Sequence, residues 1–417
     1  MKITKLTAIL AALLMGIGAA SAQNGTNTPY SRFGYGMLRD NVTSTQQAMG
    51  GVGLAMHSGR QINVMNPASY ARIDSLTFLF DMGVDITNQW SSDLDAQGVR
   101  RSEKHTGGGL NYVTMQWPLG KRMGMSVGLL PFSAVGYAFG SDIDNGYTNR
   151  QGSGSINELY VGVAGRIIGN LTLGVNVAYM FGSTINDVYA ITNQGNTSLY
   201  ENELSVRDWY ATAGVQYTHT FGRESLTLGL TFAPHKHFHG HIREYHYDIT
   251  NQTDDDSAIE ANEELPTGSN YGTAASYGIG LGWQHGQRLY VEGDFTYQPW
   301  NNVKFNGERG AFANRYKVNV GAQFTPALRG GYGRRIQYRV GAFYNRDYIV
   351  VAGNNVRQFG ATCGVGLPVP GFKSTVNIGL EYLRREAYPA SLVKENYFNI
   401  TLGINFNEMW FRKSRIY

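Results

Sequence analysis

The chain has 417 residues, 35 Lys and Arg against 31 Asp and Glu, 53 glycines, 27 tyrosines and 11 prolines. A net charge of +4 is no electrostatic footprint for a nucleic-acid partner, and this aromatic content does not fit collagen-like or disordered chains. The lone cysteine, Cys363, excludes an intrachain disulfide.

The first 22 residues read as a secretory signal. Lys2 and Lys5 form the positive region, Thr7 to Ala20 the apolar region, and Ala20-Ser21-Ala22 the cleavage site. The mature chain is expected to begin at Gln23. Nothing after it is an apolar run long enough for a membrane helix.

Residues 23–74 do not alternate. They hold Gly50, Gly51 and Gly53, then Asn66, Pro67 and Ala68, among Phe33, Tyr35, Met49, Val52, Leu54 and Tyr70. That apolar content is too high for a disordered leader, so the segment is expected to fold as a plug.

From residue 75 to 407 the pattern has period 2, the signature of strands with two different faces. Leu76, Phe78, Phe80, Met82, Val84 and Ile86 share one side and Asp81, Gly83 and Asp85 the other. The same holds for Leu171 to Phe181, Tyr277 to Trp283, Leu289 to Tyr297, Tyr316 to Phe324, Val376 to Tyr382 and Phe398 to Phe406. Short turns at 118–122, 168–170, 222–224, 285–287, 327–333 and 368–372 alternate with polar stretches near 90–106, 138–155, 186–204, 247–270, 299–312, 352–356 and 386–395. These read as long loops. The fold expected is all-β: an outer-membrane β-barrel of about 14 antiparallel strands, with both termini in the periplasm and a hatch plugging its lumen. Trp90, Trp117, Trp209, Trp283, Trp300 and Trp410 fall near strand ends, as an aromatic girdle would. Cys363 shares parity with outward apolar positions. Residues 408–417 form a charged C-terminal tail, with Arg412, Lys413 and Arg415.

A glycine-rich stretch, then Asn66-Pro67-Ala68, then the first of fourteen strands resembles the FadL-type transporters of long-chain fatty acids and aromatic hydrocarbons. The type IX secretion barrel PorV is similar in architecture. The resemblance implies an N-terminal hatch, a lateral gate in the third strand and passive transport of hydrophobic or amphipathic compounds. Here Pro131 and Phe132 lie in the third strand, and a proline cannot donate to the ladder. The chain departs from the family in its polar loops, of which 248–264 carries Asp254, Asp255, Asp256, Glu260, Glu263 and Glu264. This leaves a second reading: a non-transporting barrel subunit of a secretion or assembly complex in the envelope.

Asp81, Asp85, Glu292, Asp294, Arg315, Lys317, Arg335, Arg339 and Glu381 are expected to face the lumen, paired with one another or with hatch arginines Arg32, Arg39, Arg60 or Arg72. A solute path lined by these charges is the sharper reading. His235, His237, His239 and His241 have the spacing of one strand face, with parity pointing inward; they read as polar lumen residues or as a metal chelate. The Asp254–Asp256 run is a solvated loop or a cation bridge to lipopolysaccharide. No hydrolase or metalloprotease motif occurs, and no cofactor is implied. The partners expected are outer-membrane lipid and lipopolysaccharide, a hydrophobic small-molecule ligand and envelope proteins.

Overall fold

In the computed structural model, residues 26–94, 99–248, 258–370, 373–390 and 392–409 are described. The signal segment, the Asp254–Asp256 run and residues 410–417 of the charged tail, Trp410 among them, lie outside them, while Glu408 and Met409 continue the last strand. Fourteen antiparallel strands form one closed ring. They are β1 (Thr77–Leu94), β2 (Arg100–Pro118), β3 (Met123–Ile143), β4 (Gly146–Ile168), β5 (Leu171–Thr192), β6 (Thr197–Phe221) and β7 (Glu224–Ala233). The second half comprises β8 (Ser276–His285), β9 (Leu289–Gln298), β10 (Arg315–Phe324), β11 (Gln337–Val351), β12 (Asn354–Pro368), β13 (Thr375–Tyr388) and β14 (Lys394–Met409). The ring closes where β14 pairs β1, with Ile404 opposite Met82. Closure is what lipid demands, because a strand edge inside hydrocarbon leaves backbone groups unbonded.

The faces follow the alternation. Leu173, Val175 and Val177 of β5 point outward and are exposed, while Thr172, Gly174 and Asn176 at the alternate positions are buried. Cys363 is likewise exposed on the outside, opposite Val340 and Leu380.

The long loops do not form as expected. The stretches at 138–155 and 186–204 are mostly strand: β3 and β4 run on to a turn at 144–145, and β5 and β6 to one at 193–196. β6 spans 25 residues, where about 10 cross a membrane. Part of 247–270 is also strand, because Gly240–Asp248 and Ala258–Pro266 form a hairpin that continues the sheet beside β6. Outside the bilayer both faces meet water, so a strand there can be polar on both sides and still keep its ladder. Trp300 also departs from the girdle: it is 1% exposed, inside the barrel, on a short 3-10 turn.

Residues 26–74 occupy the lumen as two 3-10 turns, Pro29–Arg32 and Pro67–Arg72, a short helix Ser44–Gln47, and a two-residue strand Met37–Leu38. Toward the long-strand end, Tyr35 packs among Phe238, Phe305 and Trp300 at ring-centre distances of 5.3–6.1 Å. Toward the short turns, Ile62, Val64 and Tyr70 pack against Leu79, Tyr112 and Tyr160. The lumen is therefore filled from both sides.

Candidate functional site: the hatch and a break in the wall

The hatch is anchored by groups that alternation turns inward. Gly50 and Gly51 have φ of +71° and +76°, a conformation glycine adopts freely, and there the chain lies flat against the wall. An added Cβ on Gly341 of β11 would strike the Gly50 amide, and one on Gly229 of β7 the Leu54 carbonyl. Wall glycines thus let two backbones touch.

Four consecutive hatch amides then meet two carboxylates of β9. Asp294 accepts from Gly53 at 2.8 Å and Leu54 at 3.0 Å, and Glu292 from Ala55 at 2.5 Å and Met56 at 3.2 Å. Asn66 is the third anchor. Its Oδ1 accepts from the Ala68 amide at 3.1 Å, capping the turn that Pro67 opens, and its Nδ2 donates to the Leu54 carbonyl at 2.7 Å.

These contacts correct the expected charge pairing. Glu292 and Asp294 bind hatch amides instead of Arg315 and Lys317. Those two cations meet the hatch aspartate Asp40, at 3.3 and 2.6 Å. Burial would raise the Asp40 carboxyl, but Lys317 and Arg315 hold it down at about 2. Arg339 is fully buried and donates to Gln323 and Asn377, both at 2.8 Å. Asp81 accepts from Tyr112 and Asn405, Asp85 from Thr401, and Glu381 from Asn399. Arg335 is not on a strand: it ends the 3-10 turn Tyr332–Arg335 at the short-turn end. The hatch arginines go elsewhere than expected, Arg39 to Thr26, Arg72 to the Asn170 carbonyl and Arg60 to Asp74.

The histidine run does not form a common lumenal face. The strand breaks at Pro234, and Phe238 takes the buried inward position while the four histidines are exposed. His235 contacts the Thr273 carbonyl, His239 Asp208 and His241 Glu264, each a different partner. Among the described residues no three His, Cys, Asp or Glu side chains are grouped to hold a metal. The reading of the run as a metal chelate, the alternative to polar lumen residues, therefore finds no support in these positions.

At Pro131 and Phe132 the wall changes. The β3–β4 register slips between Pro131 and Ser133, and Phe132 packs against Phe238 at 6.3 Å. On the other side, the β2–β3 ladder runs only from Pro118–Gly124 to Val113–Leu129. Beyond it, Arg100 to Tyr112 of β2 pair with β1, while Ser133 and Ala134 of β3 pair with Leu38 and Met37 of the hatch. The Arg39 amide continues that pairing to the Phe132 carbonyl at 2.8 Å. Sequence reading located the proline but could not see that a hatch strand occupies the edge it frees. Behind this break lies a cavity of about 170 Å³, lined by Leu38, Leu130, Phe132, Tyr210, Trp300 and the buried Glu158.

Solved structures share this fold. The Pseudomonas putida toluene transporter TodX superposes with a TM-score of 0.62 at 15% identity, covering 90% of this chain and 99% of its own. The Ralstonia pickettii toluene transporter TbuX gives 0.61 at 13% identity, covering 88% and 98%. A FadL homologue of Pseudomonas aeruginosa gives 0.60 at 13%, covering 88% and 99%. At these identities the likeness is one of fold: a FadL-type barrel. No curated protein matches the sequence. A family model described as BamG matches residues 3–417, a span that takes in the hatch, the broken wall and every strand. The chain is therefore a member of the BamG family, built on the FadL-type barrel.

Proposed function

We propose that the protein lies in the outer membrane and passes hydrophobic or amphipathic small molecules through it, releasing them sideways between β2 and β3. The supporting observation is the missing β2–β3 ladder beyond Val113–Leu129, where the wall loses its backbone pairing. An unbonded edge there is costly in lipid unless the opening is used or covered. The cavity behind it sets apolar Leu38, Leu130 and Phe132 beside Glu158, Asp40, Arg315 and Lys317, a lining that suits an amphipathic compound with a charged or strongly polar end. The neighbours named as toluene transporters lend weight to a hydrophobic cargo. The hatch bonds to Asp294 and Glu292, and those of Asn66 to the Val215 and Leu230 carbonyls, would hold the resting path shut.

Uptake of an amphipathic fluorescent probe into proteoliposomes tests this. A Phe132→Trp variant, which crowds the cavity mouth, is expected to slow uptake several-fold; equal uptake by empty liposomes and wild-type proteoliposomes would end the reading. A second reading is a barrel that docks envelope proteins. It is favoured by the polar sheet that β4, β5, β6 and the Gly240–Asp248 hairpin raise beyond the bilayer. Purification of a native complex that falls apart when that hairpin is shortened would support it.

A further inference from the structure

The short-turn end of the barrel concentrates positive charge that transport does not use. The β2–β3 turn carries Lys121 and Arg122, the β6–β7 turn Arg223, and the β8–β9 turn Arg288. The connection from Phe324 to Gln337 is longer than a hairpin needs, and it holds Arg329, Arg334 and Arg335; Lys373 follows in the last turn. Inside this ring the hatch adds Arg60 and Arg72, and Arg166, two residues before the end of β4, lies near Arg72.

Counter-charge is scarce. Among the described residues of this end the acids are Asp74, Glu224 and Glu408, and two are already engaged: Asp74 with Arg60 at 3.6 Å and Glu224 with His285 at 2.5 Å. Burial, and then the charge of Arg166, pull the Arg72 guanidinium below its ordinary value, as expected where like charges crowd together. The opposite end carries both signs, with Asp187, Glu201, Glu203, Glu244, Glu263 and Glu264 set among Arg100, Arg101, Lys104, Arg150, Arg243 and Lys394. A rim of one sign around a mouth focuses potential over its centre.

We propose that this face is a docking surface for an acidic polypeptide segment that lies across the mouth, held by Arg60 and Arg72 of the hatch and by the cations of the surrounding turns. Charge complementarity selects the partner's sign. Position selects a polypeptide over a membrane: lipid headgroups reach only the outer side of the turns, whereas Arg60 and Arg72 stand within the ring. Ile168 and Leu328, 77% and 51% exposed at turn tips, offer apolar contacts beside the cations. This reading shares only the barrel's orientation with the transport proposal and needs neither its cavity nor its lateral break.

The test uses the full mature barrel in nanodiscs of zwitterionic phosphatidylcholine and two labelled peptides, one of repeated Asp-Glu-Leu and one of repeated Lys-Lys-Leu. Fluorescence anisotropy is expected to show binding of the acidic peptide alone, weakening with added salt. Arg60→Glu, and separately the pair Lys121→Glu with Arg122→Glu, are each expected to weaken it about tenfold or more. Equal binding of both peptides, or full affinity in Arg60→Glu, would overturn the proposal. So would a third result: no peptide binding, with the turn variants losing adhesion to phosphatidylglycerol vesicles and Arg60→Glu keeping it, which would make the rim a lipid-headgroup belt. Probe uptake measured on the same variants keeps the two readings apart, because uptake is expected to survive these substitutions.

Discussion

Asp294, on the ninth strand, receives the backbone amide of Gly53 at 2.8 Å across 241 residues of sequence. With Glu292 beside it, the wall presents two acceptors where the hatch presents four donors, so the plug is held by buried hydrogen bonds as well as by packing. Replacing Asp294 by Ala leaves the Gly53 and Leu54 amides buried without that acceptor. A loss of about 1–3 kcal/mol per unpaired amide is expected at the hatch. Hydrogen exchange should quicken over residues 50–56 while the β9 ladder stays protected, and uptake through the barrel should rise.

Contact between backbones makes the wall glycines equally informative. Gly229→Val puts branched carbon where the Leu54 carbonyl lies, and overpacking of this kind costs about 1–3 kcal/mol. The barrel itself should still form, because valine suits a strand. Single-channel recording is expected to show a leak current absent from the parent, and an unchanged baseline would mean that the hatch tolerates the displacement.

Acid should loosen the hatch in two steps. His57 is pushed down to about 4, first by burial and then by the charge of Arg72. Its folded-state value lies below its ordinary 6.5, so its contribution is complete above that pH and is lost as pH falls from 6.5 toward 4. Asp40, also depressed, keeps its contribution until pH falls from about 4 toward 2. Uptake recorded against pH should therefore rise first between pH 6.5 and 4, and His57→Gln should flatten that segment without touching the lower one.

Cys363 reports on the outer surface. It stands between Val340 and Leu380 on the apolar exterior, so in liposomes an apolar maleimide should modify it and a charged thiol reagent should not. Rapid reaction with the charged reagent would place β12 away from lipid.

Much of this architecture could be read before any coordinates, and the reason is the bilayer. Where one face of a strand meets hydrocarbon and the other a polar lumen, the sequence must alternate, so Leu171 to Phe181 and Phe398 to Phe406 announce themselves. The same rule explains the failures. Past the membrane both faces are wet, alternation is no longer required, and 138–155 and 186–204 resemble loops although they are ladder. Trp300 near a strand end could belong to a girdle or to a core; only the ring of Tyr35, Phe312 and Tyr348 around it decides for the core.

By itself, then, the chain's order of residues determined a two-faced barrel of fourteen crossings, an apolar hatch ahead of it, and inward charges along β9 and β10. Tertiary structure alone decided which partner each charge meets, that Glu292 and Asp294 hold amides while Arg315 and Lys317 hold Asp40, and that a hatch strand takes the edge of β3 that β2 leaves. Periodicity is a local property imposed by the surroundings of each strand. Pairing across 241 positions depends on where the closed ring places two distant backbones, and no spacing along the chain encodes that distance.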